Sequence, residues 1–132
     1  MKQYGLIGKT LGHSFSKSYF ENKFSTEHIQ NASYSNFPLK SIEEFKSLIK
    51  KKTFNGLNIT IPYKTSIIPF LNELSEEAKS IGAVNTIDFK NDILIGYNTD
   101  YLGFQNAIKP FLKITMEKAL ILGTGGASKA VV

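Results

Sequence analysis

Lys64 is the residue around which a chemical reading of this sequence turns. It ends the stretch Asn58-Ile59-Thr60-Ile61-Pro62-Tyr63-Lys64, in which Leu57, Ile59 and Ile61 alternate with Asn58 and Thr60. Alternation of that kind is the period-2 signature of a strand. Pro62 has no N–H to give a sheet ladder, so the strand is expected to stop there. Asn58 and Thr60 then share one face, and Lys64 arrives from the turn above them, at the strand end where ligands bind in α/β sheets. A lysine beside two neutral hydrogen-bonding side chains can orient a hydroxylated substrate and move a proton. An edge strand followed by a solvated lysine is the plainer alternative.

Three further groups carry chemistry. Ser14 and Ser16 stand one residue apart at the entrance to an amphipathic stretch (residues 19–24). One hydroxyl there serves as a helix N-cap, but two also suit a carboxylate, because the N–H groups of the first turn point the same way. Asp100 opens a helix with apolar residues at Tyr101, Phe104, Ala107, Ile108, Phe111 and Leu112, and an N-capping role would hold its carboxylate rigidly at a strand-to-helix corner. Finally, residues 118–122 (Lys-Ala-Leu-Ile-Leu) read as a buried strand running into Gly123-Thr124-Gly125-Gly126-Ala127-Ser128, with a helix from Lys129. Strand, glycine-rich turn and helix is the context of a dinucleotide fingerprint, with Ser128 at the third glycine position. The spacing does not make a P-loop.

The elements that position these groups follow from pattern. Residues 3–7 and 34–37 read as strands, the second closed by Pro38. Ser41 and Glu44 form a capping box for a helix to Lys50 with the apolar stripe Ile42, Phe45, Leu48 and Ile49. Asn55-Gly56 leads into the Leu57 strand, so strand, helix and strand are expected as a right-handed parallel unit. Residues 67–71 make a short helical turn limited by Pro69. Ser75 caps a short helix with Glu76 and Glu77 in its first turn and Gly82 at its end. Residues 83–89 and 93–97 are expected as an antiparallel hairpin about Lys90-Asn91-Asp92. The fold class is α/β: a three-layer domain with a mixed, mostly parallel sheet.

Composition narrows the class. With 132 residues, 42% hydrophobic and 20% charged, the chain supports one domain with a core. No apolar run reaches the roughly 20 residues of a membrane helix, and no signal peptide opens the sequence, so a cytoplasmic enzyme fits. Cysteine is absent, which excludes disulfides and thiolate metal sites, and His13 and His28 lack metal-ligand spacing. The net charge is +5, yet all sixteen basic residues are lysine. Base reading and bidentate phosphate gripping favour arginine, which argues against nucleic acid. Lys50-Lys51-Lys52 closes a helix, where the dipole favours cations. A small anionic substrate or cofactor suits the balance.

Together these stretches resemble the shikimate dehydrogenase family. The resemblance runs through Tyr4-Gly5-Leu6-Ile7-Gly8, Ser14-Phe15-Ser16, residues 58–64, Gly82-Ala83-Val84-Asn85-Thr86, Gly96-Tyr97-Asn98-Thr99-Asp100 and Gly123–Ser128. It implies NADPH-dependent reduction of 3-dehydroshikimate to shikimate, with no metal. Ser14 and Ser16 would hold the substrate carboxylate. Thr60, Lys64, Asn85 and Asp100 would contact the ring hydroxyls and the reacting oxygen, with Lys64 and Asp100 as the catalytic pair. Gly123, Thr124, Gly125, Gly126, Ala127 and Ser128 would bind NADP. Asn58 would support the strand end. The same pocket would look nearly alike in a quinate or related hydroxycyclohexene-carboxylate dehydrogenase, and a substrate-binding module without catalysis is a further reading.

Lys17 stands where the family usually has proline, and Phe20-Glu21 replaces its common His-Asn or His-Gln pair. By the family pattern, residues 1–100 would be the substrate domain. Residues 101–132 would be a linker helix and the truncated start of a Rossmann-type NADP-binding domain. Residues 118–122, cut off from neighbouring strands, would then be an apolar edge prone to self-association.

Overall fold

The computed structural model describes residues 1–132. Six strands form one sheet: β1 (Lys2–Gly8), β2 (Ala32–Pro38), β3 (Gly56–Ile59), β4 (Glu73–Leu74), β5 (Thr86–Lys90) and β6 (Ile93–Tyr97), in the order β2-β1-β3-β5-β6-β4. The pairings β1–β2, β1–β3 and β4–β6 are parallel, while β5 runs antiparallel to both β3 and β6. The helices are α1 (Ser16–Thr26), α2 (Glu44–Lys51), α3 (Glu76–Ile81), α4 (Asp100–Ile108) and α5 (Gly126–Val131).

Register sorts the side chains into two layers. Ile7 lies opposite Ile59, and Leu57 opposite Ile87, so these residues share a face. With Phe45 of α2 and Ala78 of α3 they build the main core, in which Ile7, Phe45 and Ile87 are fully buried. The other face carries Tyr4 opposite Tyr34, Leu6 opposite Asn58, and Asn58 opposite Thr86. Helix α1 covers part of that face, with Phe20 stacked on Tyr34 at 4.5 Å between ring centroids. The result is helix, sheet, helix, the three-layer arrangement expected from the sequence. Polar residues project from the α1 face because its strands keep strict alternation.

Several local expectations hold. Ser75 Oγ accepts the Ala78 N–H at 3.2 Å, and the helix it caps closes at Gly82 with φ 68°. Asn91 and Asp92 both take positive φ, 50° and 64°, as a two-residue hairpin turn requires.

Others are corrected. Strand β3 ends at Ile59, not at Pro62: the Thr60 N–H makes the last parallel bond, to Ile7 O at 2.8 Å, and the Thr60 carbonyl then accepts the Tyr63 N–H at 3.0 Å as the chain turns. Ile61 is consequently exposed rather than part of the alternation. The strand expected from residue 83 starts at Thr86, since Ala83 and Val84 are buried beside the Lys64 turn, with Val84 N–H bonded to Lys64 O at 2.7 Å. Strands β2 and β3, by contrast, run parallel as expected, with β1 lying between them. The short β4 had no pattern to announce it.

The Ser41–Glu44 capping box does not form. Residues 41–44 make a turn, Glu44 reaches back to the Lys40 N–H at 3.2 Å, and the Ser41 hydroxyl turns to the Glu43 carboxylate, holding that acid below its ordinary range. At α1 the residue before the first helical position is Phe15, which offers no side-chain cap. Residues 118–122 form no strand and are not buried: Leu120 and Leu122 are largely exposed, because no neighbouring strand supplies hydrogen bonds or a covering layer. Helix α5 begins at Gly126 instead of Lys129, so half of the glycine-rich turn is already helical.

Candidate active site

The corner where β6 meets α4 faces the turn that follows β3. Lys64 is anchored there through its carbonyl on Val84 and through its neighbour Tyr63, whose N–H reaches Thr60 O at 3.0 Å and whose buried hydroxyl donates to Leu39 O at 2.7 Å. Burial pushes the Tyr63 phenol up from its ordinary range. Lys64 Nζ donates to Asp100 Oδ2 at 2.5 Å, with the two side chains 14% and 30% exposed. The Lys23–Glu27 pair on α1 is equally short, 2.5 Å, but lies in solvent, 40% and 48% exposed. Burial, not length, distinguishes Lys64–Asp100, since screening removes most of the value of an exposed pair.

Asp100 is the first residue of α4, not its N-cap. Thr99 occupies the cap position without a side-chain cap bond, and the Asp100 N–H is taken by Asn98 Oδ1 at 2.9 Å. Asn98 is buried and its Nδ2 donates to Ala83 O at 3.0 Å, which pins the corner to the segment between α3 and β5. The Asp100 carboxylate is therefore free of capping duty. One oxygen faces Lys64, and the other accepts from Asn85 Nδ2 at 2.9 Å.

Asn85 is saturated within the chain. Its Nδ2 also donates to Thr99 Oγ1 at 2.8 Å, and its Oδ1 accepts from the Thr99 N–H at 3.0 Å and the Thr86 hydroxyl at 3.0 Å. Both donors and both acceptor sites are used, so the amide has one orientation, and a ligand reaching Asn85 has to exchange with one of these partners.

Ser14, Ser16 and Thr60 line a separate cleft of about 260 Å³, together with Leu6, Thr10, Leu11 and His13. Ser14 Oγ accepts the Ser16 N–H at 3.3 Å, which sets the two hydroxyls at the start of α1. The cleft connects to the ion pair through the α1 face of the sheet. Next to Ser16, the Tyr34 hydroxyl donates to Asn58 Oδ1 at 2.9 Å, and Asn58 Nδ2 reaches Thr86 Oγ1 at 3.3 Å. Thr86 meets Asn85, and Asn85 meets Asp100. Burial pushes the Tyr34 phenol up to about 12, against the opposing pull of the Ser16 hydroxyl. A ligand bridging the cleft and the corner would meet neutral hydroxyls at one end and an ammonium–carboxylate pair at the other. That combination suits a polyhydroxylated acid undergoing proton transfer.

The glycine-rich turn leaves its backbone open to a ligand. Gly123 takes φ 122°, which favours glycine, and Ser128 Oγ would lie 3.2 Å from a Cβ there. Gly125 is extended, nothing stands within 4 Å of the position its Cβ would take, and no side chain caps the turn. Backbone approach from that side is open.

Among the residues singled out from sequence, Lys64, Asn85 and Asp100 come together in one hydrogen-bonded group, and Ser14, Ser16 and Thr60 in one cleft. Asn58 supports the strand end, as expected. Tyr34, Thr86, Asn98 and Thr99 hold the site and had been assigned no part in it. The last three lie inside the Asn-Thr and Asn-Thr-Asp stretches, so the signal was present, but which side chains face inward is settled only by register.

The family model described as the shikimate dehydrogenase substrate binding domain matches residues 6–87. A shikimate dehydrogenase (NADP(+)) of Staphylococcus epidermidis is 39% identical over 131 residues, 98% of this chain and 49% of that protein. The Methanosphaera stadtmanae enzyme of the same name is 44% identical, over 96% of this chain and 45% of its own. Among solved structures, shikimate dehydrogenase 1 from Peptoclostridium difficile superimposes with a TM-score of 0.90 at 41% identity, covering 98% of this chain and 49% of that one. Shikimate 5-dehydrogenase from Thermus thermophilus, solved with NADP(H) and shikimate, gives 0.86 at 32% identity, covering 99% and 50%. The chain thus spans about half the length of the relatives it matches. No helix is long and apolar enough to cross a membrane. On the family model and on these structural matches, the chain belongs to the shikimate dehydrogenase family, through its substrate-binding domain.

Proposed function

We propose that this chain is the substrate-binding part of an NADP-dependent shikimate dehydrogenase, which reduces 3-dehydroshikimate to shikimate. Residues 1–100 form the substrate domain, and residues 101–132 begin the NADP-binding domain. The observation that carries this reading is the Lys64–Asp100 ion pair, braced by Asn85, beside a cleft containing Ser14, Ser16 and Thr60.

Ser14 and Ser16 take the substrate carboxylate. Thr60 and Asn85 contact ring hydroxyls, and Lys64 and Asp100 face the reacting oxygen. Gly123–Ser128 would hold NADPH, which would supply the hydride. As negative charge develops on the ketone oxygen, the Lys64 ammonium stabilises it and delivers the proton. The Asp100 carboxylate, fixed by Asn85 and by the Asn98 bond to its own N–H, keeps the ammonium aimed. No group of three or more histidine, aspartate and glutamate side chains comes together as metal ligands, and none of these roles calls for one.

Calorimetric titration of the 132-residue protein tests the reading. Shikimate binding that is lost in Ser16→Ala and stronger than quinate binding is the expected result. Absence of shikimate binding, or preference for quinate, overturns the substrate assignment.

A further inference from the structure

We infer that Gly126 is a positioning residue for Lys64: its missing side chain lets the glycine-rich turn seat directly on the stem of the lysine. In the G-x-G-x-x-G spacing that residues 123–128 follow, the fourth position is unrestricted, so a diphosphate gives no reason for glycine there. The structure supplies another reason. A Cβ on Gly126 would lie 2.6 Å from Lys64 Cβ, 3.4 Å from Lys64 Cδ and 3.4 Å from Ala83 Cβ.

The nearest of these atoms is at the root of the lysine side chain, which cannot swing aside without moving backbone. That backbone is tied down, with Lys64 O accepting the Val84 N–H at 2.7 Å, and Ala83 is itself fully buried. Any added methyl must therefore push α5 outward. Gly126 is helical and needs no unusual dihedral, so close approach is the only demand on it. Gly125, one residue earlier, is the contrast: its Cβ would meet nothing within 4 Å, and its φ of −76° is open to any residue.

Lys64 is thus walled along its stem by Gly126 and held at its tip by Asp100. A displacement of the glycine-rich turn reaches the amine through direct packing. The catalytic meaning of this contact rests on the function proposed above, in which the turn seats the cofactor and Lys64 moves the proton. The packing itself does not.

Gly126→Ala and Gly125→Ala in this chain test the inference. The two readouts are amide exchange across residues 126–131 and the rate at which an amine-reactive acylating reagent labels Lys64, followed by peptide mass. Helix propensity favours alanine over glycine, so propensity alone would raise protection in Gly126→Ala. The packing argument gives the opposite sign. Protection of the α5 amides falls by about fivefold or more, and Lys64 labelling rises by a similar factor. Gly125→Ala exchanges the α5 N-cap for a poorer one and lowers α5 protection by a few fold at most, but leaves Lys64 labelling within about twofold. Unchanged or increased protection in Gly126→Ala, or unchanged labelling of Lys64, overturns the inference. Neither readout depends on turnover. If labelling responds as expected while a Lys64→Ala enzyme keeps full turnover, the packing stands and the proposed function falls.

Discussion

Asn98→Ala tests whether the corner at Asp100 is held by a buried side chain. Asn98 makes two hydrogen bonds, accepting from the Asp100 N–H at 2.9 Å and donating to Ala83 O at 3.0 Å. Each contributes about 1 kcal/mol net. Truncation to alanine removes both, but the losses differ in kind. The Asp100 N–H is only partly buried and water can replace its partner. Ala83 is fully buried, so its carbonyl is left without one, at about 1–3 kcal/mol. The sum is a loss of about 2–4 kcal/mol, a large part of the roughly 5–15 kcal/mol that holds a domain folded. With a urea slope of about 2 kcal/mol/M, the unfolding midpoint drops by about 1–2 M. Asn98→Asp separates the two bonds. It keeps an acceptor for Asp100 but sets a carboxylate against the Ala83 carbonyl, so its loss is at least as large as that of the alanine variant. Urea unfolding followed by circular dichroism decides the matter. If both variants unfold within about 0.5 kcal/mol of the parent, the corner is not held by Asn98.

Lys64→Ala in a chain extended to the length of its relatives lowers turnover by about two to four orders of magnitude, with substrate affinity changed less; full turnover removes the lysine from the mechanism. Tyr34 ionises late, at about 12 against an ordinary 10.0, because burial disfavours its phenolate. The folded state then keeps a proton that the unfolded state loses above pH 10, so this contribution to stability is intact below pH 10 and is lost as pH rises toward 12. Phenolate absorbance followed against pH should show a late-titrating tyrosine that Tyr34→Phe removes, and an early titration of every tyrosine contradicts it. The apolar stretch at residues 118–122, with Leu120 and Leu122 largely exposed, should drive concentration-dependent association, which Leu120→Lys reduces. Sedimentation showing a monomer at all concentrations refutes that.

Helix α3 and the hairpin turn were legible from sequence because both rest on contacts within a few residues. Ser75 reaches three residues ahead, and Asn91 and Asp92 tolerate the positive φ that the turn imposes. The α1 entrance and the end of β3 were read less well. At β3 the pairing partner lies far along the chain, the last rung running from the Thr60 N–H to Ile7 O, and local pattern carries no record of it; at the α1 entrance the bonds are local, with Ser14 Oγ accepting the Ser16 N–H, but Phe15 takes the cap position.

The site divides along the same line. The sequence by itself determined which residues could do chemistry, because an ammonium, a carboxylate, two hydroxyls and a glycine-rich turn are properties of residue type and spacing. It could not decide what holds them. That Asp100 is released from capping by Asn98, that Asn85 is saturated by Thr86 and Thr99, and that Gly126 leaves room for Lys64 all depend on the register of β3, β5 and β6 and on where α5 comes to rest. Residues 118–122 show the limit from the other side. Their apolar pattern is that of a buried strand, but a strand is completed by its neighbours' N–H and C=O groups, and here none is paired with it.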